Sequence, residues 1–310
     1  MSSEIQEYSM AVQYVNAGRV HTVVHYLAAM KLLLTVFALA FAVPVSASDK
    51  LEQTLNRQYK KHIYTLRQPM TAPTQQYDSL GNSPTASALG PWTIYARVEI
   101  RKIKLELNRL VVEGQRIGMK FNNHSKSLVP TKLDDKVKLE ISLGQPLDSP
   151  DQVRTIFSHI FAFSKEDFLA SVPEIWRHYL ATNLESYPDD GGQLLFKPYL
   201  PSKVADKKPE PQSNDIFHVG NGVTAPKARF TPDPTYSMAA RGAKFQGTSI
   251  LSVIVDKNGA VQNILLARPA GLGLDEESVQ AVRTWKFDPA KRNGEPVAVE
   301  VSVEVTFNLY

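Results

Sequence analysis

Two pairs of adjacent carboxylates, Asp134-Asp135 and Asp189-Asp190, are the first candidates for acid–base chemistry. Sequence neighbours on a strand point to opposite faces, so neither pair suits a shared proton, and solvated turns fit them better. His62, His124, His159, His178 and His218 show no metal-ligand spacing. His21 and His25 stand four apart but fall in an N-terminal leader. Gly271-Leu272-Gly273 ahead of a helix could cradle a phosphate, yet the Asp275-Glu276-Glu277 run at the same helix start would repel the anion. No Gly-x-Ser-x-Gly or P-loop pattern occurs. With no cysteine, the chain has no thiol nucleophile, thiolate zinc site or disulfide framework. No catalytic residue, metal ligand or cofactor is therefore expected. Arg97, Arg101, Lys102, Lys104, Arg109 and Arg116 form a basic cluster, but Glu99, Glu106 and Glu113 interleave with it. A solvated mixed-charge face is expected there rather than an anion site. A net charge of +4 over 310 residues gives no reason to expect a nucleic-acid partner.

The elements that position these residues begin with an address. Met30-Lys31 leads into the uncharged run Leu32–Ala42, followed by Pro44 and Val45-Ser46-Ala47. That order is the charged, apolar and small-residue pattern of a secretory signal peptide, and the run is shorter than the roughly 20 residues of a membrane span. Residues 1–47 are expected to be a leader and signal peptide, or an N-terminal anchor if uncleaved, with Met30 a better initiator than Met1 or Met10. The rest should lie in the periplasm, or be tethered to the inner membrane if the segment stays.

Residues 48–185 read as a β-rich region of no recognised function. A short strand covers Ile63–Arg67, and an alternating run starts at Trp92 and continues through Ile94, Ala96, Val98 and Ile100. The phase slips at Arg101-Lys102, which predicts a β-bulge or bend. Further strands follow around Leu110–Phe121 and Val137–Leu143, so a curved sheet or small barrel is expected. Two helices close the region. One opens on the capping-box pattern Ser149-Pro150-Asp151-Gln152, and the other opens at Ser164 and is interrupted by Pro173. Residues 186–234 hold many prolines and read as an extended linker.

Residues 235–310 alternate more cleanly. Tyr236–Lys244 suggests a short helix and Ile250–Val255 a strand. Asp256-Lys257-Asn258-Gly259 suggests a tight turn, and Val261–Ala267 the return strand. A helix starts at Asp275 with Val279, Val282 and Trp285 on one face. The last strand puts Val297, Val299, Val301, Val303, Val305, Phe307 and Leu309 on one side. The fold class is thus α+β, ending in an antiparallel three-stranded sheet with two helices. An edge of so small a sheet is a template for another chain.

Several of these residues, in order, resemble the C-terminal domain of the TonB family of energy transducers. They are Tyr236 with Ala240, Gln246-Gly247-Thr248, the Asp256-x-x-Gly259 turn, Leu274-Asp275, Trp285-Lys286-Phe287-Asp288-Pro289-Ala290 and Asn293-Gly294-Glu295-Pro296-Val297. The resemblance covers residues 234–310. It departs from the family at Tyr236-Ser237, where a Tyr-Pro pair is usual, and in the run Leu32–Ala42, which lacks the histidine of the family's membrane anchor. It implies a protein that crosses the periplasm and binds outer-membrane transporters by pairing a short transporter segment with a sheet edge. Inner-membrane motor proteins are implied as partners only if the N-terminal segment is uncleaved. The expected partner-binding residues are Tyr236 and the strand valines Val297, Val299, Val301, Val303 and Val305, unless that strand is central and covered. The alternative is a soluble periplasmic binding or scaffold protein whose function lies in residues 48–185.

Overall fold

Leu51, Leu55 and Tyr59 are spaced by four, and this puts all three on the buried face of helix α1 (Ala47–Tyr59). Helix α1 was not expected from the sequence pattern. The computed structural model describes residues 46–84, 88–200 and 216–309. Residues 1–45 of the expected leader and the stretch 201–215 lie outside the described residues, as do His21 and His25. None of the described helices is long and apolar enough to cross a membrane.

The first sheet contains β1 (Ile63–Leu66), β2 (Thr74–Tyr77), β3 (Arg97–Glu106), β4 (Arg109–Asn122), β5 (Ser127–Ser142) and β6 (Phe161–Ala162). Their order is β2-β5-β4-β3-β1-β6, which makes an open sheet rather than a closed barrel. All neighbours are antiparallel except β2 and β5. The slip expected at Arg101-Lys102 is present as a register shift between Ile100 and Lys102. β1 pairs with only the start of β3. Beyond it α1 supplies partners for the exposed edge. Asn56 Nδ2 donates to Ile103 O (2.7 Å), Ile103 N donates to Asn56 Oδ1 (2.9 Å), and Leu105 N donates to Glu52 Oε2 (2.8 Å).

The strand expected from Trp92 starts only at Arg97. Trp92–Tyr95 is a helical turn, α2. Trp92, Thr93 and Ile94 are all buried, and a helical turn directs three consecutive side chains inward where a strand would alternate them. The closing helices are α3 (Pro150–Ile160), α4 (Lys165–Ser171) and α5 (Glu174–Asn183), because Pro173 splits the second expected helix in two. The capping box at Ser149 does not form. Ser149 makes no side-chain cap, while Gln152 Oε1 accepts from Asp148 N at 3.0 Å. Two short strands, β7 (Leu184–Ser186) and β8 (Leu195–Phe196), pair beyond α5.

The last region holds α6 (Met238–Gly242), β11 (Gly247–Val255), β12 (Val261–Arg268), α7 (Leu274–Thr284) and β15 (Glu295–Phe307). β12, β11 and β15 form the expected antiparallel trio. Two short strands enlarge it to five: β14 (Ala290–Arg292) and β9 (Ile216–His218). A separate ribbon joins β10 (Lys227–Phe230) to β13 (Lys286–Asp288). The β11–β12 turn uses one left-handed residue, Gly259 at φ +78, rather than an Asn-Gly pair. Asp256 Oδ1 closes the turn by accepting from Asn258 N and Ala260 N.

From Ala47 to Tyr310 the chain is one compact unit. One core lies between the first sheet, α1 and α3, around Leu55, Phe157 and Ile103. The other is continuous between the two regions, joining Trp92, Met119, Phe168 and Trp176 to Leu251, Leu272, Val279 and Val303.

Candidate partner-binding site

β15 alternates as its sequence demands. Val299, Val303, Val305 and Phe307 are buried, and Val297 and Val301 are partly buried. The valines therefore face the core, and what the strand presents at its border is backbone. β11 takes one side of Val299–Phe307. On the other side β14 covers Glu295–Val297 and β9 covers Ala298–Glu300. Among the described residues, no strand pairs with that outer side from Val301 to Phe307. Of the expected valines, Val297 and Val299 thus lie at a covered stretch, and Val301, Val303 and Val305 at an open one.

Tyr236 sits at the far end of the same strand. Its ring meets Phe307 edge-on at 5.4 Å, and its hydroxyl donates to Phe245 O. Arg241 lies over the ring at 5.7 Å. Ser237, which stands where the resembling family has proline, caps α6 by accepting from Ala240 N (3.1 Å) and donates to Leu272 O. Trp285, on the same helix face as Val279 and Val282 in the sequence pattern, is only partly buried, and its Nε1 donates to Pro232 O at 3.1 Å.

The other sequence candidates resolve into structure. Asp134 and Asp135 are exposed within β5 rather than in a turn, whereas Asp189 and Asp190 do occupy an exposed turn. The basic cluster is not wholly solvated. Arg97 and Arg116 are each 1% exposed and, among the described residues, have no carboxylate partner. Arg97 donates to Gly192 O (3.0 Å), and Arg116 donates to Tyr95 O, Met70 O (2.9 Å) and Ala72 O (3.2 Å). Burial pushes both guanidinium pKa values down, that of Arg97 to about 10. The remaining basic residues include three ion-paired side chains, Arg101 with Glu99, Lys104 with Glu113 and Arg109 with Glu106. Among the described residues, no three His, Asp or Glu side chains come together as a metal site.

The glycine motif and the acidic run form a junction between the two regions. Gly271, at φ +90, bridges Lys120 of β4, and an added Cβ would lie 2.3 Å from Met119 O. Phe121 N donates to Ala270 O and Leu272 N to Met119 O, each at 2.8 Å. Gly273 N donates to Thr93 Oγ1 at 3.0 Å. Asp275 is fully buried. It accepts from Ala270 N (2.8 Å), Gly271 N (2.7 Å) and Ser249 Oγ (2.8 Å). Burial raises its pKa against the pull of those three bonds. Glu276 Oε1 accepts from Trp176 Nε1 at 2.8 Å, and burial, with the neighbouring Asp275, pushes Glu276 up to about 7. Three acids in a row read as solvent-facing, and only the Ser249 and Trp176 partners, distant in sequence, show that two of them are not.

Residues 232–309 match the family model of the Gram-negative bacterial TonB protein C-terminal. The chain is 37% identical to Protein TonB of Xanthomonas campestris pv. campestris (strain B100) over 92 residues, 29% of this chain and 41% of that protein. It is 35% identical to Protein tonB2 of Pseudomonas aeruginosa over 79 residues, 25% of this chain and 29% of that protein. A solution NMR structure of the Pseudomonas aeruginosa TonB CTD aligns with 29% of this chain and 89% of its own, at 19% identity and a TM-score of 0.24. The chain thus spans about two fifths of the length of the Xanthomonas relative.

Proposed function

We propose, from the premise that residues 232–309 are a TonB-family C-terminal segment, that this protein is an exported TonB-like component of energy-coupled outer-membrane transport. Its C-terminal sheet takes up an extended segment of a transporter-type partner along the outer side of β15. The observation that carries this reading is the stretch Val301–Phe307, paired to β11 on one side and to no described strand on the other. Main-chain hydrogen bonds would supply the affinity, because the valines are already committed to the core. Tyr236, packed on Phe307, then sits at the end of the docking stretch. The periplasm is the compartment that fits such a partner. An inner-membrane motor joins the scheme if the N-terminal segment remains as an anchor.

The test is titration of the full chain with synthetic peptides from the plug regions of outer-membrane transporters, read by amide resonances. The expected result is shifts at residues 298–307, at their β11 neighbours and at Tyr236. Peptides that bind while leaving β15 unmoved would defeat strand docking, as would a complete absence of binding.

A further inference from the structure

β15 already carries an occupant supplied by its own chain. β9 runs parallel to it, with Ile216 against Ala298, Phe217 against Val299 and His218 against Glu300. The pairing is short, parallel and partly exposed, since all three β9 residues are only half-buried. Parallel ladders are somewhat weaker per residue than antiparallel ones, and three residues is the short end of the usual strand length. Phe217 packs against the shared core and lies under the Arg292 guanidinium at 4.9 Å.

The chain beyond β9 is built differently. Gly220 and Val223 exchange two backbone hydrogen bonds, each 3.0 Å, and close a tight loop through Asn221 and Gly222. Val223 bridges Arg292, Thr224 N donates to Lys291 O, and Lys291 N donates to Thr224 Oγ1, both at 2.9 Å. Between this anchor and β9 stands Val219, 48% exposed, followed by Gly220 at φ +108, whose missing Cβ would meet nothing within 4 Å. A weakly held strand is therefore joined through an unpacked pivot to a firm attachment. β14 is its opposite, tied to β15 by the tight Asn293-Gly294 turn and rooted by buried Ala290.

We propose that β9 is an internal competitor. In the free protein residues 216–218 hold the edge at Ala298–Glu300, and a partner strand gains the whole border only by displacing them about the Val219-Gly220 pivot. The proposal rests on the docking reading above, and it adds that the site is self-occupied. A tethered strand acts at high effective concentration, so its removal should tighten binding of a competing strand by about tenfold or more.

The probe that isolates this step is the chain's own β9 sequence as a free peptide, Ile-Phe-His-Val-Gly-Asn-Gly, residues 216–222. The full chain has no cysteine, so Ile216→Cys with Ala298→Cys places a single reversible lock across facing strands. The reduced double variant should bind the peptide about tenfold more tightly than the oxidised one, with amide shifts at 298–303. Phe217→Pro, which removes a strand N–H and the core side chain, should bind about tenfold more tightly than the unaltered chain. Equal affinity in the oxidised and reduced forms would overturn the proposal. If Phe217→Pro does not fold, the cysteine pair alone decides. Failure of transporter peptides to bind any form would defeat the docking reading, while the β9 peptide still reports whether the edge is exchangeable.

Discussion

Glu276 holds its carboxyl at the contact between α5 and α7, with Trp176 on one oxygen and Asp275 beside it. A group whose folded pKa lies near 7, against 4.5 ordinarily, keeps its proton longer in the folded state. Between those two pH values the folded chain binds more protons than the unfolded one, so stability falls as pH rises and levels off above the folded pKa. Asp275 and Glu277 are shifted in the same direction by burial. Urea unfolding should show a loss of about 2 kcal/mol between pH 5 and pH 7.5, the ionised carboxyl being the less welcome form. Glu276→Gln keeps an oxygen for Trp176 Nε1 and should remove most of that slope; Asp275 and Glu277 add to it in the same direction. A slope unchanged by the substitution would mean that Glu276 is solvated. The same residue shows why acids are hard to read from a sequence. At a helix start they fit the helix dipole equally well whether water or a tryptophan lies outside.

Gly271 and Gly294 separate two costs at the level of elements. Both have strongly positive φ, +90 and +86, but a Cβ at Gly271 would strike Met119 O whereas one at Gly294 would meet open space. Gly294→Ala should cost about 1 kcal/mol, the strain of a left-handed residue in the β14–β15 turn. Gly271→Ala adds a backbone clash and should cost about 3 kcal/mol or more. Chemical denaturation of the two variants checks the difference, and equal losses would show that the β4 contact yields easily. Elements governed by their own residues were legible in advance. The Arg101-Lys102 slip and the long alternation of β15 follow from local periodicity, and the break at Pro173 follows from the proline itself. Elements defined by distant partners were not. Trp92–Tyr95 alternates like a strand but serves the core shared by the two regions as a helical turn. β9 and β14 are too short to carry a pattern, and they convert the expected three-stranded sheet into five. Arg97 and Arg116 look like surface charges because the carbonyls they bind come from residues 192, 95, 70 and 72.

At the scale of the molecule, the TonB-family segment is not a free module on a tether. Its α7 and the loop at Gly271–Gly273 are built into the core that holds Trp92, Phe168 and Trp176. Co-expressed as separate pieces, residues 46–200 and 216–310 should therefore associate, and Gly271→Ala in the second piece should weaken that association by about tenfold or more. Co-purification and sedimentation read the outcome, and two pieces that stay monomeric and folded would show that the junction is dispensable. The bond from Gly273 N to Thr93 Oγ1 joins positions 180 residues apart. While the ribosome is still making the last quarter of the chain, Trp92 and Trp176 have each other and Phe168 but lack Leu251, Leu272, Val279 and Val303, which complete their core. Long-range closure of this kind slows folding and leaves sticky surface uncovered meanwhile. A nascent chain built in this way is a natural client for a holding chaperone until its final residues arrive.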